Sequence, residues 1–270
     1  MARYLIVAVA LVASACSPPT PANAPTTAAT LPSGELVDLS HPYDEQTVYW
    51  PTAEVFRLEK VADGLTAGGY YYAANNVFTS EHGGTHLDAP LHFAAGRQAV
   101  DEIPLDRLIG SAIVVDVAEQ SEKQPDYQVT REDLQRWERA HGPIPSEVIV
   151  LIRTGFSSRW PDAARYLGTA ERGEAAVAKL HFPGLHPDAA RWLVANRTIN
   201  AIGIDTASID YGQSTRFESH RVLYERNIPA FENLTALERL PVAGARVIAL
   251  PMKIRGGSGA PLRAVAILPR

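Results

Sequence analysis

Cysteine is nearly missing from this chain. Its 270 residues hold one, Cys16, so no disulfide can form within it and no other thiol is open to oxidation. No apolar stretch announces a membrane span either, because the run Leu5–Ala13 is too short to cross a bilayer. An excess of basic charge is also lacking. Lys and Arg number 25 against 30 Asp and Glu, the formal net charge is −5, and no basic patch stands out, so nucleic acid is not an expected partner. No internal repeat and no second domain boundary interrupt the sequence. Histidine is scarce as well, at eight residues, yet three fall within eleven positions.

Those positions read His82-Gly-Gly-Thr-His86-Leu-Asp88-Ala-Pro-Leu-His92. Imidazole nitrogen and carboxylate oxygen are ligands that borderline divalent ions such as Zn²⁺ or Mn²⁺ accept. Gly83 and Gly84 argue against an ordinary helix and Pro90 would interrupt one, so a turn followed by an extended stretch is expected. On an extended path His86, Asp88 and His92 would share a face, with His82 joining them across the Gly-Gly turn. Pro90 would fix that path. Thr85, between the ligands, reads equally as an orienting hydrogen-bond partner or as a turn residue.

The segment His82, Gly84, Thr85, His86, Asp88, Pro90, His92 resembles the signature of the cyclase family of metal-dependent hydrolases, which includes bacterial kynurenine formamidases and isatin hydrolases. The resemblance begins at Asp38-Leu39-Ser40-His41-Pro42, continues through Trp50-Pro51 and covers roughly residues 34 to 270. It implies that His82, His86 and Asp88 bind metal and that His92 is the proton acceptor. It also implies a downstream His and Glu twelve residues apart that complete a second metal site, matched here by His220 and Glu232. Without that match, His220 reads as a surface histidine and Glu232 as a surface carboxylate. The resemblance further implies a β/β/α swivelling-type core, a homodimer or homotetramer, and a substrate-side aromatic at Trp50, for which core packing is the ordinary alternative.

Three N/O ligands leave coordination positions open, as a catalytic site requires. An ion there lowers the pKa of bound water and polarises a carbonyl. The cofactor expectation is one or two divalent ions, Zn²⁺ or Mn²⁺, with Asp88 able to bridge a pair. His92 suits a general base because imidazole titrates near neutrality. Together these parts describe hydrolysis of a small cyclic or aryl amide, lactam or lactone. Phe93, with Phe56 and Tyr70–Tyr72, is a candidate to line the substrate pocket. Asp205, just past a strand, reads equally as a binding group or a turn former; Asp210 reads as structural. Thr154-Gly155 are candidate backbone donors near the site, and His181 is a weaker candidate to face it. Two rival classes stay open: a tethered protein that captures metal or ligand without turnover, and a cyclase acting on a polyketide-like chain.

The N-terminus carries an address. Arg3, the apolar run and Ala13-Ser14-Ala15-Cys16 resemble a bacterial lipoprotein processing site, and Ser17–Ser33, rich in Pro, Thr and Ala, reads as a flexible tether. Residues 1–16 are thus expected to be a signal peptide ending at a lipid-modified Cys16, residues 17–33 the tether and residues 34–270 the hydrolase domain. The protein is expected to be exported and lipid-anchored to a bacterial membrane, facing the periplasm; plain secretion with cleavage near Ala22 or Ala24 is the alternative. Export, and extra sequence around Ser157–Leu180, favour the isatin hydrolase side of the family over kynurenine formamidase, whose place in tryptophan breakdown is cytosolic.

Five Val- and Ile-rich runs read as buried strands: Ala112–Val117, Val148–Ile152, Ile199–Ile204, Val247–Met252 and Ala264–Leu268. Leu36–Leu39 and Tyr70–Thr79 are further candidates. Thr130 with Asp133 forms a capping box for a helix over Arg131–His141, which Gly142 and Pro143 end, and Pro187 opens another over Asp188–Ala195. Pro161–Leu167 and Glu171–Leu180 are weaker helices. The mixture predicts a single mixed α/β domain rather than a strict βαβ series.

Overall fold

The computed structural model describes residues 34–270; the signal, tether and Cys16 readings lie outside the described residues. Twelve strands follow in chain order: β1 (Leu36–Asp38), β2 (Arg57–Leu65), β3 (Tyr71–Phe78), β4 (His86–Asp88), β5 (Ile109–Asp116), β6 (Gln128–Val129), β7 (Val148–Arg153), β8 (Gly184–Leu185), β9 (Ile199–Ile204), β10 (Ala230–Glu232), β11 (Ala243–Pro251) and β12 (Gly259–Ile267). Seven helices accompany them: α1 (Leu105–Leu108), α2 (Ala118–Lys123), α3 (Arg131–His141), α4 (Ala163–Leu167), α5 (Glu174–Val177), α6 (Pro187–Asn196) and α7 (Glu218–Tyr224).

Eight strands form one sheet in the order β1-β12-β11-β5-β7-β9-β10-β4, and β4 also pairs with β12, so the sheet closes on itself as a barrel. The β5-β7-β9-β10 stretch is parallel and the rest antiparallel. Strand alternation sorts two cores. Ala112, Val114, Ile149, Leu151 and Ala201 point into the barrel, where they meet Leu87, Phe231, Val247 and Ala264. Their neighbours Ile113, Val115, Val150, Ile152 and Ile202 point outward against α3, α6 and α7 through Leu134, Leu193 and Leu223. A strand covered on both faces has no polar side, which is why these strands read as unbroken apolar runs. This is the mixed α/β domain that the runs and helices predict, with a barrel-like sheet core.

Local chemistry explains the helices. Thr130 accepts from the Asp133 amide while Asp133 reaches back to the Thr130 amide, so α3 begins and ends where its sequence signals place it. Pro187 opens α6 at Asp188's side, one residue ahead of the expected range. The Pro161–Leu167 helix starts later, at Ala163, because Asp162 caps it. Only Glu174–Val177 of the expected Glu171–Leu180 helix forms, since Gly173 precedes it with a positive φ.

β4 and β10 place the histidine motif. They run antiparallel with Glu232 opposite His86 and Ala230 opposite Asp88. Leu87 and Phe231 face the barrel interior, so period-two alternation sends His86, Asp88 and Glu232 to the other face, beneath α7.

Candidate metal centre

Asp88 is the centre of the cluster, and each of its oxygens meets different partners. Oδ1 lies 2.7 Å from His82 Nδ1 and 3.0 Å from His86 Nε2. Oδ2 lies 3.4 Å from His220 Nε2 and 4.0 Å from His92 Nε2, and accepts a 2.9 Å hydrogen bond from the Tyr224 hydroxyl. Glu232 sits beside it, with Oε1 3.2 Å from His220 Nε2 and Oε2 3.5 Å from His86 Nε2. The Ile209 amide donates to Glu232 Oε1 at 2.7 Å and steadies it. His220 and Tyr224 are one helical turn apart on α7, so both reach down to the same carboxylate. The structure therefore brings together all six residues singled out for metal and proton chemistry.

Each imidazole spends its proton away from this centre. His86 Nδ1 donates to the Gly84 carbonyl at 2.9 Å and His220 Nδ1 to Asp210 Oδ2 at 2.5 Å. The Ser258 hydroxyl donates to Glu81 at 2.7 Å, so it is left to accept from His82 Nε2 at 3.0 Å. Three nitrogen lone pairs, on His82 Nδ1, His86 Nε2 and His220 Nε2, then face carboxylate oxygens with no proton between them. Lone pair against lone pair is repulsive unless a positive charge intervenes. No lysine or arginine is among the described residues lining this cavity. The donor set fits a divalent cation, and two overlapping groups, His82–Asp88–His92 and His86–Asp88–Glu232, have ligand atoms close enough to share one.

Without an ion, a second ring proton has to supply that charge, and the titration tendencies are those of the ion-free cluster. Burial opposes charge on Asp88, but His82, His220 and His86 hold its carboxyl well below the usual range. Burial and the Asp88 charge push Glu232 up. Burial pulls His86 and His220 down, but the neighbouring carboxylates outweigh it and hold both above the ordinary imidazole value. Burial lowers His92 to about 4, with the Asp88 charge only partly compensating. His92 is therefore a neutral imidazole at neutral pH, stacked on His82 at 3.9 Å between ring centroids.

His92 reaches the cavity by a route other than the expected one. Pro90 does not prolong an extended path; it opens a single 3-10 turn, Pro90–His92, that turns the chain back toward Asp88. Thr85 contacts none of the imidazoles. Its hydroxyl accepts from the His41 amide at 2.9 Å and donates to the Asn233 carbonyl at 2.7 Å, tying the segments before β4 and after β10 together.

The cavity over the cluster encloses about 410 Å³. Trp50, Phe93 and Phe217 wall its apolar side, with Phe93 and Phe217 5.0 Å apart and Trp50 6.3 Å from Phe217. Trp50 and Phe93 thus lie where the sequence suggests. Asp205 does not. It is fully buried, and its carboxylate accepts from the Thr154 amide and hydroxyl, each at 2.7 Å, and from the Gly155 amide at 2.8 Å. Burial raises its pKa to about 6 against those hydrogen bonds. Its job is to pin the loop after β7, and Thr154-Gly155 serve Asp205 rather than the cavity. Phe56 and Tyr70–Tyr72 lie away from the cavity, and His181 pairs outside it with Asp126 at 2.7 Å.

The sequence reading missed Phe217, Tyr224, Ser258 and the role of Asp210. Tyr224 had a signal, the four-residue helical spacing from His220. Asp210 and Ser258 had none, because only the fold brings the loop after β9 and the turn before β12 to these imidazoles. Phe217 has a left-handed backbone, φ 47°, directly before α7. Such strain in a bulky residue is concentrated at functional sites.

Residues 37–211 match the model of the Cyclase family, described as "Putative cyclase". An isatin hydrolase from Roseibium aggregatum is 32% identical over 228 residues, covering 82% of this chain and 82% of the relative. A kynurenine formamidase from Salinibacter ruber is 29% identical over 238 residues, covering 85% of this chain and 96% of the relative. A solved structure of an isatin hydrolase bound to the product analogue thioisatinate superposes with a TM-score of 0.78 at 30% identity, over 87% of this chain and 93% of that one. Motif, fold and matches agree: the chain belongs to the cyclase family of metal-dependent hydrolases.

Proposed function

We propose that this enzyme hydrolyses the carbon–nitrogen bond of a small aromatic lactam or amide, with isatin-type lactams favoured. The observation that carries the reading is the convergence of three imidazole lone pairs and two buried carboxylates on one point beneath an aromatic-walled cavity. The similarity to isatin hydrolases supports the substrate class. A volume of about 410 Å³ suits a small bicyclic ring, and flat aromatic walls suit a flat substrate.

His82, His86, Asp88, His220 and Glu232 would hold one or two divalent ions, Zn²⁺ or Mn²⁺. When bound, such an ion polarises a carbonyl and makes water more acidic. The chain's own residues do the rest. Trp50, Phe93 and Phe217 orient the ring and exclude bulk water. His92, neutral and partly open to the cavity, accepts the proton of the attacking water and returns it to the leaving nitrogen, so that C–O forms, C–N breaks and a carboxylate and an amine result. Asp210 and the Gly84 carbonyl keep the Nε2 atoms of His220 and His86 free by holding the other ring nitrogens.

Metal analysis combined with a hydrolysis screen of isatins, N-formyl anilides and lactones tests the proposal. The wild-type chain should carry Zn or Mn and turn over isatins; His86→Ala and Asp88→Ala should lose both metal and turnover. Unchanged metal content in both variants would refute the ligand assignment. Faster turnover of N-formyl anilides would transfer the substrate to the formamidase reading, and metal without any turnover would leave a binding protein.

A further inference from the structure

The segment between β7 and β8 builds a small core of its own. Phe156, Tyr166, Leu167, Leu180 and Phe182 pack there with Val48, and Trp50, which lines the cavity, lies against them. Phe182 meets the indole edge-on at 6.3 Å between ring centroids. Two aromatic contacts, from Phe182 and Phe217, restrain the ring, yet they do not hold the backbone that carries it.

That backbone is held from the loop before α5. Trp50–Ala53 is a tight turn, closed by the Ala53 amide donating to the Trp50 carbonyl at 3.0 Å. The Gly173 amide donates to the Pro51 carbonyl at 2.9 Å. The Arg172 guanidinium donates through Nη1 to the Trp50 carbonyl at 3.2 Å and through Nη2 to the Ala53 carbonyl. Three carbonyls of one turn thus accept from two adjacent residues. Arg172 is exposed, and the carboxylate beside it, Glu171, is taken by Lys179 at 2.5 Å. An exposed arginine ordinarily leaves its charged head in water. Here the head spans two neutral carbonyls instead. A guanidinium can do this because its donors diverge in one rigid plane, whereas the point charge of a lysine cannot.

We infer, taking Trp50 as the wall on which the substrate ring lies, that Arg172 is a positioning residue for that wall. Its fork fixes the turn, the turn fixes the backbone of Trp50, and Phe182 and Phe217 then set the angle of the indole. The wall stands in place before the substrate arrives, so binding does not have to order it. Arg172 itself does not line the cavity, and it hydrogen-bonds to none of the candidate metal ligands. Its effect therefore falls on affinity for the flat ring and not on bond breaking.

Arg172→Ala in the purified full chain, with an unchanged circular dichroism spectrum, tests it through two readouts. The first needs no substrate. Four tryptophans fluoresce, so the share of Trp50 is the difference between chains that carry Trp50 and chains that carry Trp50→Phe. Acrylamide quenching of that share should rise in Arg172→Ala. The second readout is kinetics on the aromatic substrate that the wild-type chain turns over fastest. KM should rise about ten-fold, or about 1.4 kcal/mol, the low end for hydrogen bonds from a charged donor because water competes at an exposed site. Both kcat and bound metal should stay within about two-fold of the wild type. Arg172→Lys keeps the charge without the fork, and its KM should lie between the two. Adding Arg172→Ala to Trp50→Ala should raise KM no further, since Arg172 acts through Trp50. Unchanged quenching, an unchanged KM, or a further rise in the Trp50→Ala background would each overturn the inference, while a raised KM in Trp50→Ala alone would leave the wall reading standing. A wild-type KM in Trp50→Ala would overturn the wall reading itself, and the substrate role of Arg172 with it, whatever the quenching shows.

Discussion

At the scale of single residues, neighbours rather than identity assign the roles. Asp205 and Asp210 sit five positions apart on one loop and are both buried. Asp205 spends its oxygens on the backbone of the loop after β7, whereas Asp210 holds the ring of His220. His92 presents the sharpest such question. Its Nε2 lies 4.0 Å from Asp88, farther than the other imidazoles, and burial keeps it neutral. A proton acceptor must be unprotonated and near the reacting water; a value of about 4 lies below the near-neutral titration expected from the sequence, so position rather than basicity carries the assignment. His92→Ala should keep most of the bound metal and lose roughly 10²- to 10⁴-fold in kcat, with substrate affinity changed far less. Metal analysis and steady-state kinetics on one preparation decide the matter. Loss of metal would make His92 a ligand beside His82 and Asp88, with Glu232 the next candidate for the base. Unchanged kcat would refute the mechanism.

At the scale of elements, the turn ahead of β4 aims the cluster. Gly84 has φ +57°, and a Cβ there would meet the Tyr43 ring at 2.6 Å. Tyr43 cannot move away cheaply, because its hydroxyl lies 2.8 Å from the Gly83 carbonyl and 2.6 Å from the Thr85 carbonyl. The Gly84 carbonyl itself receives His86 Nδ1 and Asn233 Nδ2. Gly84→Ala should therefore combine a left-handed backbone cost of about 1–2 kcal/mol with displacement of a packed ring, for a loss of about 2–3 kcal/mol of stability. It should also reduce turnover by turning the His86 ring. Urea denaturation and kinetics measure the two effects; a stable variant with full turnover would mean that the turn has slack.

At the scale of the whole molecule, stability is tied to acidity through His41. Its ring stacks on Trp160 at 4.2 Å, its Nε2 is buried with no partner among the described residues, and its amide donates to Thr85. Burial lowers its pKa from 6.5 to about 4. The folded protein therefore refuses a proton that the unfolded chain takes up below 6.5. The stabilisation is complete above pH 6.5, is lost as pH falls from 6.5 to about 4, and changes no further below that. Its size is on the order of 3 kcal/mol. His41→Phe keeps the stacked ring and removes the proton uptake, so its unfolding free energy should fall less between pH 7 and pH 4 than that of the wild type. Equal losses in the two proteins would show that His41 plays no part in acid sensitivity.

Local and periodic information was legible without coordinates. The unbroken apolar runs marked β5, β7 and β9 because strands covered on both faces need apolar side chains at every position. The capping box and Gly142 bounded α3 because those signals act within one turn of the chain. The spacing of His82, His86, Asp88 and His92 marked the centre because its ligands are of an unusual type and crowded into one short segment; His220 and Glu232 were legible only through the family resemblance. Other features depend on residues distant in sequence, and only the tertiary structure decided them. Closure of the barrel through β4 and β12 puts Glu232 opposite His86, and α7 then lays His220 and Tyr224 over Asp88. The same closure carries Asp210 and Ser258 to the imidazoles and leaves Asp205 behind. Tyr70–Tyr72 resembled pocket residues in one dimension; they lie away from the cavity, Tyr71 and Tyr72 on β3, which pairs only with β2 among the described residues. Ligand chemistry is a property of residue types and short spacings, whereas lone-pair direction, burial and proton affinity depend on which distant groups the fold brings into contact.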